Sequence, residues 1–137
     1  MKCVTNVTDA SLPAPRTMAS TLFLDSPQAH LVRTVREDLG EREGTSRAAR
    51  SCVDFVSGVG LVLANPGLRV AAFWDEDVVS LVAHNRSARR QATFDFAPDG
   101  RTVTITQIDE EMRRTEQAAS QHGSELLASL GWLIRTK

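Results

Sequence analysis

Between Leu68 and Asp109 the chain runs through short stretches of alternating apolar and polar residues separated by turn-forming residues, and this limits its centre to an antiparallel sheet. The clearest part is Thr93-Phe94-Asp95-Phe96, then Pro98-Asp99-Gly100, then Thr102-Val103-Thr104-Ile105-Thr106. Successive side chains of a strand point to opposite faces, so Phe94, Phe96, Val103 and Ile105 share one face and belong to a core. Thr93, Asp95, Thr102, Thr104 and Thr106 fall on the other, and the connection has hairpin composition. Upstream, Leu68 to Trp74 and Val78 to His84 read as two more strands joined by the acidic turn Asp75-Glu76-Asp77. Both faces of that pair carry apolar residues, which predicts a central position or a face that meets a partner. Asn85 to Arg90 forms a polar, arginine-rich connection.

Helical spacing flanks this region. Asp25-Ser26-Pro27 supplies a cap and a proline where a helix tolerates one, and Leu31, Val32, Val35 and Leu39 follow at helical intervals up to Gly40. Glu41 to Gly44 reads as a linker. Thr45 or Ser46 then caps a second helix whose stripe, Ala49, Cys52, Phe55, Val56, Val59, Val62 and Leu63, is wide enough for deep burial. Asn65-Pro66-Gly67 ends it. After Asp109 the pattern turns helical again. Met112, Thr115, Ala119, His122, Leu126, Leu130 and Leu133 lie three or four apart, with Glu110 and Glu111 at the dipole-favoured start and a possible break at Gly123-Ser124.

The fold expected is therefore α+β: two N-terminal helices, a four-stranded, mainly antiparallel β-meander, then one long or two short C-terminal helices packed on the sheet. Residues 1–21, rich in Thr, Ser, Ala and Pro, read as a flexible N-terminal arm, and residues 22–137 as a single α+β domain. With 42% hydrophobic and 24% charged residues the 137-residue chain has the make-up of a globular protein, and a formal net charge of −1 gives it no overall field toward nucleic acid or anionic membrane. Its positive charge is almost all arginine, with Lys2 and Lys137 the only lysines, as a GC-rich bacterial or phage genome would produce. Cys3 and Cys52, far apart, make no disulfide framework, and Met1 to Ser20 lack the apolar core of a secretory signal. A reduced, cytoplasmic protein is expected.

Reactive groups do not cluster. His30, His84 and His122 each lack a second ligand at metal-sharing spacing, and Cys52 lies on the most apolar stripe, where burial keeps a thiol protonated. Adjacent carboxylates at Asp75 to Asp77 diverge in a tight turn, and Gly58-Val59-Gly60 sits late in a helix, away from any phosphate loop. No cofactor or metal is expected. The leading functional expectation is a small non-enzymatic protein-interaction module, such as an accessory, inhibitor or immunity-type factor, binding another protein or a second copy of itself. Trp132, off the main stripe of the last helix, is a candidate anchor. The alternative is nucleic-acid binding through Arg86, Arg89 and Arg90, which also serve as candidate phosphate or partner contacts. A further alternative is a small enzyme whose site, drawn from His84, Asp95 or His122, is assembled only by the fold.

Overall fold

The computed structural model describes residues 26–135; the expected arm and Leu22-Phe23-Leu24 lie outside them. The elements in chain order are α1 (Pro27–Leu39), a 3-10 helix (Gly40–Thr45), α2 (Arg47–Leu63), β1 (Leu68–Asp75), β2 (Val78–Asn85), β3 (Arg90–Phe96), β4 (Thr102–Ile108), β5 (Arg114–Ser120) and α3 (Ser124–Ile134). The architecture is α+β, with one five-stranded antiparallel sheet in the sequential order β1-β2-β3-β4-β5.

Local chemistry sets the helix limits. The Ser26 hydroxyl accepts the Ala29 N–H at 3.1 Å, the cap expected before Pro27. Gly40, at φ +67°, ends α1 in the left-handed conformation that glycine tolerates. Of the two candidate caps for α2, Ser46 is the one used: its hydroxyl takes the Ala49 N–H at 3.2 Å. Residues 41–44, expected as a linker, are part of the 3-10 turn.

The sheet register sorts side chains between two faces. Val79, Leu81 and Ala83 of β2 stand opposite Phe96, Phe94 and Ala92 of β3, while Phe94 and Phe96 also face Ile105 and Val103 of β4. All eight are fully buried. The Phe55 ring of α2 packs between Phe94 and Phe96, with centroids 5.1 and 5.9 Å away. Each such aromatic contributes about 1.5–3 kcal/mol through burial. From α3, Leu126, Leu130 and Leu133 join the same core, as do Val35 and Leu39 of α1. Polar ties come to this face too: Gln107 donates to the Ser129 hydroxyl at 2.9 Å, and the Trp74 indole N–H donates to the Leu39 carbonyl at 2.8 Å. The other face carries Ala71, half-exposed Phe73, Val82, Thr93, Asp95 and Thr104, and there the Ser80 hydroxyl donates to Asp95.

Two expectations are corrected. The meander has a fifth strand, and a single helix follows it instead of one long or two short ones. Residues 114–120 pair with β4, from Ile108 opposite Arg114 to Thr102 opposite Ser120. The turn before them decides this. Asp109 accepts the N–H groups of Glu111 and Arg113, both at 2.9 Å, and the Arg113 guanidinium at 3.1 Å, while the Asp109 N–H donates to the Arg113 carbonyl at 3.0 Å. A chain reversed so tightly cannot start a helix, so Glu110 and Glu111 sit in a hairpin turn, not at a helix N-terminus. Of the Leu68–His84 pair, expected to sit centrally or to present a face to a partner, β2 lies inside the sheet and β1 is its first strand. His122 correspondingly lies in the turn before α3, not on a helical stripe.

Candidate functional site

The residues singled out in the sequence are dispersed by the fold. Arg86 and Arg89 are exposed in the turn from β2 to β3, with Arg89 at φ +57°. Arg90 opens β3 on the helix-covered face and is committed there. Its Nε pairs with Glu110 at 3.1 Å, and it donates to the Trp132 carbonyl at 2.8 Å and to the Arg135 carbonyl at 3.4 Å. Its guanidinium also lies over the Trp132 ring, 5.2 Å from the centroid. Trp132 is thus a half-buried residue packed against the core and under an arginine.

The acid–base candidates do not converge. His84 and Asp95 share the uncovered sheet face, but their partners across the β2–β3 ladder are Gln91 and Ser80, four residues apart along each strand. At about 3.3 Å per residue that separates them by roughly 13 Å. His122 stands apart from both, in the turn before α3, and lines a depression between α2 and α3. Among the described residues no three His, Cys, Asp or Glu side chains are grouped to hold a metal ion. Cys52 is fully buried, and desolvation pushes its thiol up to about 12.

Between α2 and α3 part of the exposed surface is apolar. The depression, about 220 Å³, is lined by Asp54, Phe55, Gly58 and Val59 of α2, by Gln121, His122 and Gly123, and by Leu126 and Leu127 of α3. Leu127 is 61% exposed, and Leu61, one turn beyond Gly58, is 76% exposed. Both helices carry glycine on these outward stripes. A Cβ at Gly58 or at Gly131 would meet nothing within 4 Å. Each glycine costs a helix about 1 kcal/mol relative to alanine, and here no neighbour among the described residues exploits the missing side chain. Val59 adds a local break, at φ −118° and ψ 18°, inside α2. The outcome is a shallow trough lined by Phe55, Gly58 and Val59 on the α2 side and by Leu126 and Leu127 on the α3 side, with exposed Leu61 further along α2 and Gly131 further along α3.

The density of apolar residues from Leu126 to Ile134 signalled this surface in the sequence, because a helix with one buried face does not need Leu127 and Ile134 as well. Leu61 gave the same signal on α2. Which leucines stay outside depends on how the two helices are set on the sheet, and no stripe reveals that.

Comparison with protein-family models, curated proteins and solved structures finds no match for this chain. No helix among the described residues is long and apolar enough to cross a membrane.

Proposed function

We propose that this chain is a small non-catalytic protein-binding module of the accessory, inhibitor or immunity type, acting in the cytoplasm. Its partner presents an amphipathic helix to the trough between α2 and α3. The observation that carries the reading is the pairing of exposed Leu61 and Leu127 with two helix glycines that have open space above them. Small residues let a second helix approach the backbone closely, and flanking leucines supply apolar area to bury against it. Asp54 at one end of the trough favours a partner with a cationic residue beside its apolar stripe.

The test compares the parent chain with an L61D/L127D variant. A partner captured by the parent is purified and titrated against both by calorimetry, and light scattering on the isolated chain reports whether a second copy is the occupant. Loss of affinity by about a hundredfold in the variant, close to 3 kcal/mol, supports the trough. Equal binding by the two proteins rejects it.

A further inference from the structure

A second depression lies on the other side of Asp54, where the first turns of α2 meet the β3–β4 hairpin. It encloses about 390 Å³ and is lined by Arg47, Arg50, Ser51 and Asp54 of α2, by Asp99, Gly100 and Arg101 of the hairpin turn, and by Gln121. We infer that this cleft is a binding site for a phosphoryl group, held by the guanidinium groups of Arg47, Arg50 and Arg101 and by the Ser51 hydroxyl.

Three independent features point there. The first is the state of the arginines. The ion pairs formed among the described residues engage Arg90, Arg113 and Arg114, and none engages Arg47, Arg50 or Arg101. Three cations share one cleft and none forms an ion pair there, although the charge of Arg101 is felt by Asp99. Asp99 is close by, but its oxygens are occupied within its own turn. They accept the Arg101 N–H at 2.7 Å, the Thr102 N–H at 3.0 Å and the Thr102 hydroxyl at 2.9 Å.

The second feature is Ser51. It is 97% buried (3% exposed), it lines the cleft, and its Oγ has no hydrogen-bond partner, the one such side-chain atom among the described residues. A buried hydroxyl left unpaired is unfavourable and uncommon in folded proteins, so an acceptor supplied from outside accounts for its presence.

The third feature is construction. Gly100, at φ +73°, holds the hairpin turn against the start of α2: a Cβ there would sit 2.9 Å from the Arg47 Cβ. The Gln121 N–H donates to the Arg101 carbonyl at 2.7 Å, which fixes the third wall beside the second. Arginine brings a planar fork of donors that matches phosphate oxygens two at a time, and Ser51 adds a hydroxyl donor. Several donors around one pocket suit the terminal oxygens of a phosphoryl group better than the two of a carboxylate. Asp54 and Asp99 are the opposing charges on the wall, and they hold the affinity to a moderate level. The inference is separate from the trough reading, since neither site needs the other.

The probes are inorganic phosphate and phenyl phosphate, followed by phosphorus NMR line shape and by the shift in thermal midpoint of the whole chain. The parent binds saturably with a Kd of about 0.1–1 mM. Phenyl phosphate binding more tightly than inorganic phosphate identifies a phosphorylated small molecule as the source, and equal binding identifies free phosphate. The R47Q/R50Q/R101Q variant loses at least about tenfold in affinity, as does R50Q alone in part. S51A weakens phosphate binding severalfold while leaving the thermal midpoint without phosphate unchanged or higher. The inference fails if no saturable binding occurs below about 10 mM, a limit already weaker than 3 kcal/mol. It also fails if R50Q, whose circular dichroism establishes that it is folded, binds like the parent, or if S51A does.

Discussion

The Asn85 side chain donates its amide to the Leu133 carbonyl at 2.9 Å, so the end of β2 caps the end of α3. On the same face Arg90 donates to the neighbouring Trp132 carbonyl at 2.8 Å. The last carbonyls of a helix have no partner within it, and here strand side chains satisfy two of them. Asn85 is buried and also accepts the Ala88 N–H at 3.2 Å, which ties the β2–β3 turn to the helix end.

The N85A variant therefore loses two hydrogen bonds and leaves a buried carbonyl unpaired, at a cost of about 2 kcal/mol. R90Q removes the Glu110 pair and the carbonyl contact together and costs about 2–3 kcal/mol, because only 12% of that side chain is exposed. Urea unfolding measures both. The two act on adjacent carbonyls of one helix end, so the double variant falls short of the sum by more than about 0.5 kcal/mol. Strict additivity would show that the caps work independently.

Two aspartates couple stability to acid. Backbone N–H donors hold the carboxyls of Asp99 and Asp109 below the usual range, first from Arg101 and Thr102 around Asp99 and from Arg113 around Asp109. A folded-state value lowered from the ordinary one means stabilisation that is complete above the unfolded pKa near 3.9 and is lost as pH falls through the folded value. D99A and D109A are accordingly less stable than the parent at pH 7, and the gap closes below about pH 4. Denaturant midpoints taken from pH 7 down to pH 2.5 decide the matter (working range about 4.5 pH units). A gap that stays constant across that range would contradict the assignment.

Cys52 is predicted to be inert in the folded protein. With its thiol pushed up to about 12 by burial, almost no thiolate forms at pH 8, and the reagent has no path to it. Alkylation followed by peptide mass spectrometry, which reads Cys52 separately from Cys3, should show modification at least about a hundredfold slower than in denaturant. Labelling at the unfolded rate in native buffer would place the residue outside the core.

Much of the fold was legible because burial was periodic. Phe94, Phe96, Val103 and Ile105 alternate cleanly, and all four are fully buried. The wide stripe of α2 was equally plain, and Ser26 and Gly40 marked the ends of α1. β5 escaped because seven residues, Arg114 to Ser120, are exposed except for half-buried Ala119, so no alternation marks them. Glu, Gln and Ala there favour a helix by propensity, and strand pairing with β4 overrides it. The trough was visible only as an excess of leucine. The arginine cleft was not visible at all, since Arg47, Arg50 and Arg101 are brought together by the approach of Gly100 to Arg47 of α2, a contact between residues far apart in the sequence.

That competition between propensity and pairing can be tested at Met112, which stands at φ +66° in the β4–β5 turn with 78% of its surface exposed. A non-glycine residue pays about 1 kcal/mol to hold the left-handed conformation, and glycine does not. Relief of that strain outweighs or balances the greater freedom glycine has when unfolded. M112G is thus neutral or stabilising by up to about 1 kcal/mol, a rise of up to roughly 5 °C in thermal midpoint for a chain of this size. Had residues 112–120 been helical, the same substitution would have cost about 1 kcal/mol. The sign of the shift in a calorimetric scan separates the two, and a clear destabilisation would argue against the hairpin that makes this sheet five-stranded.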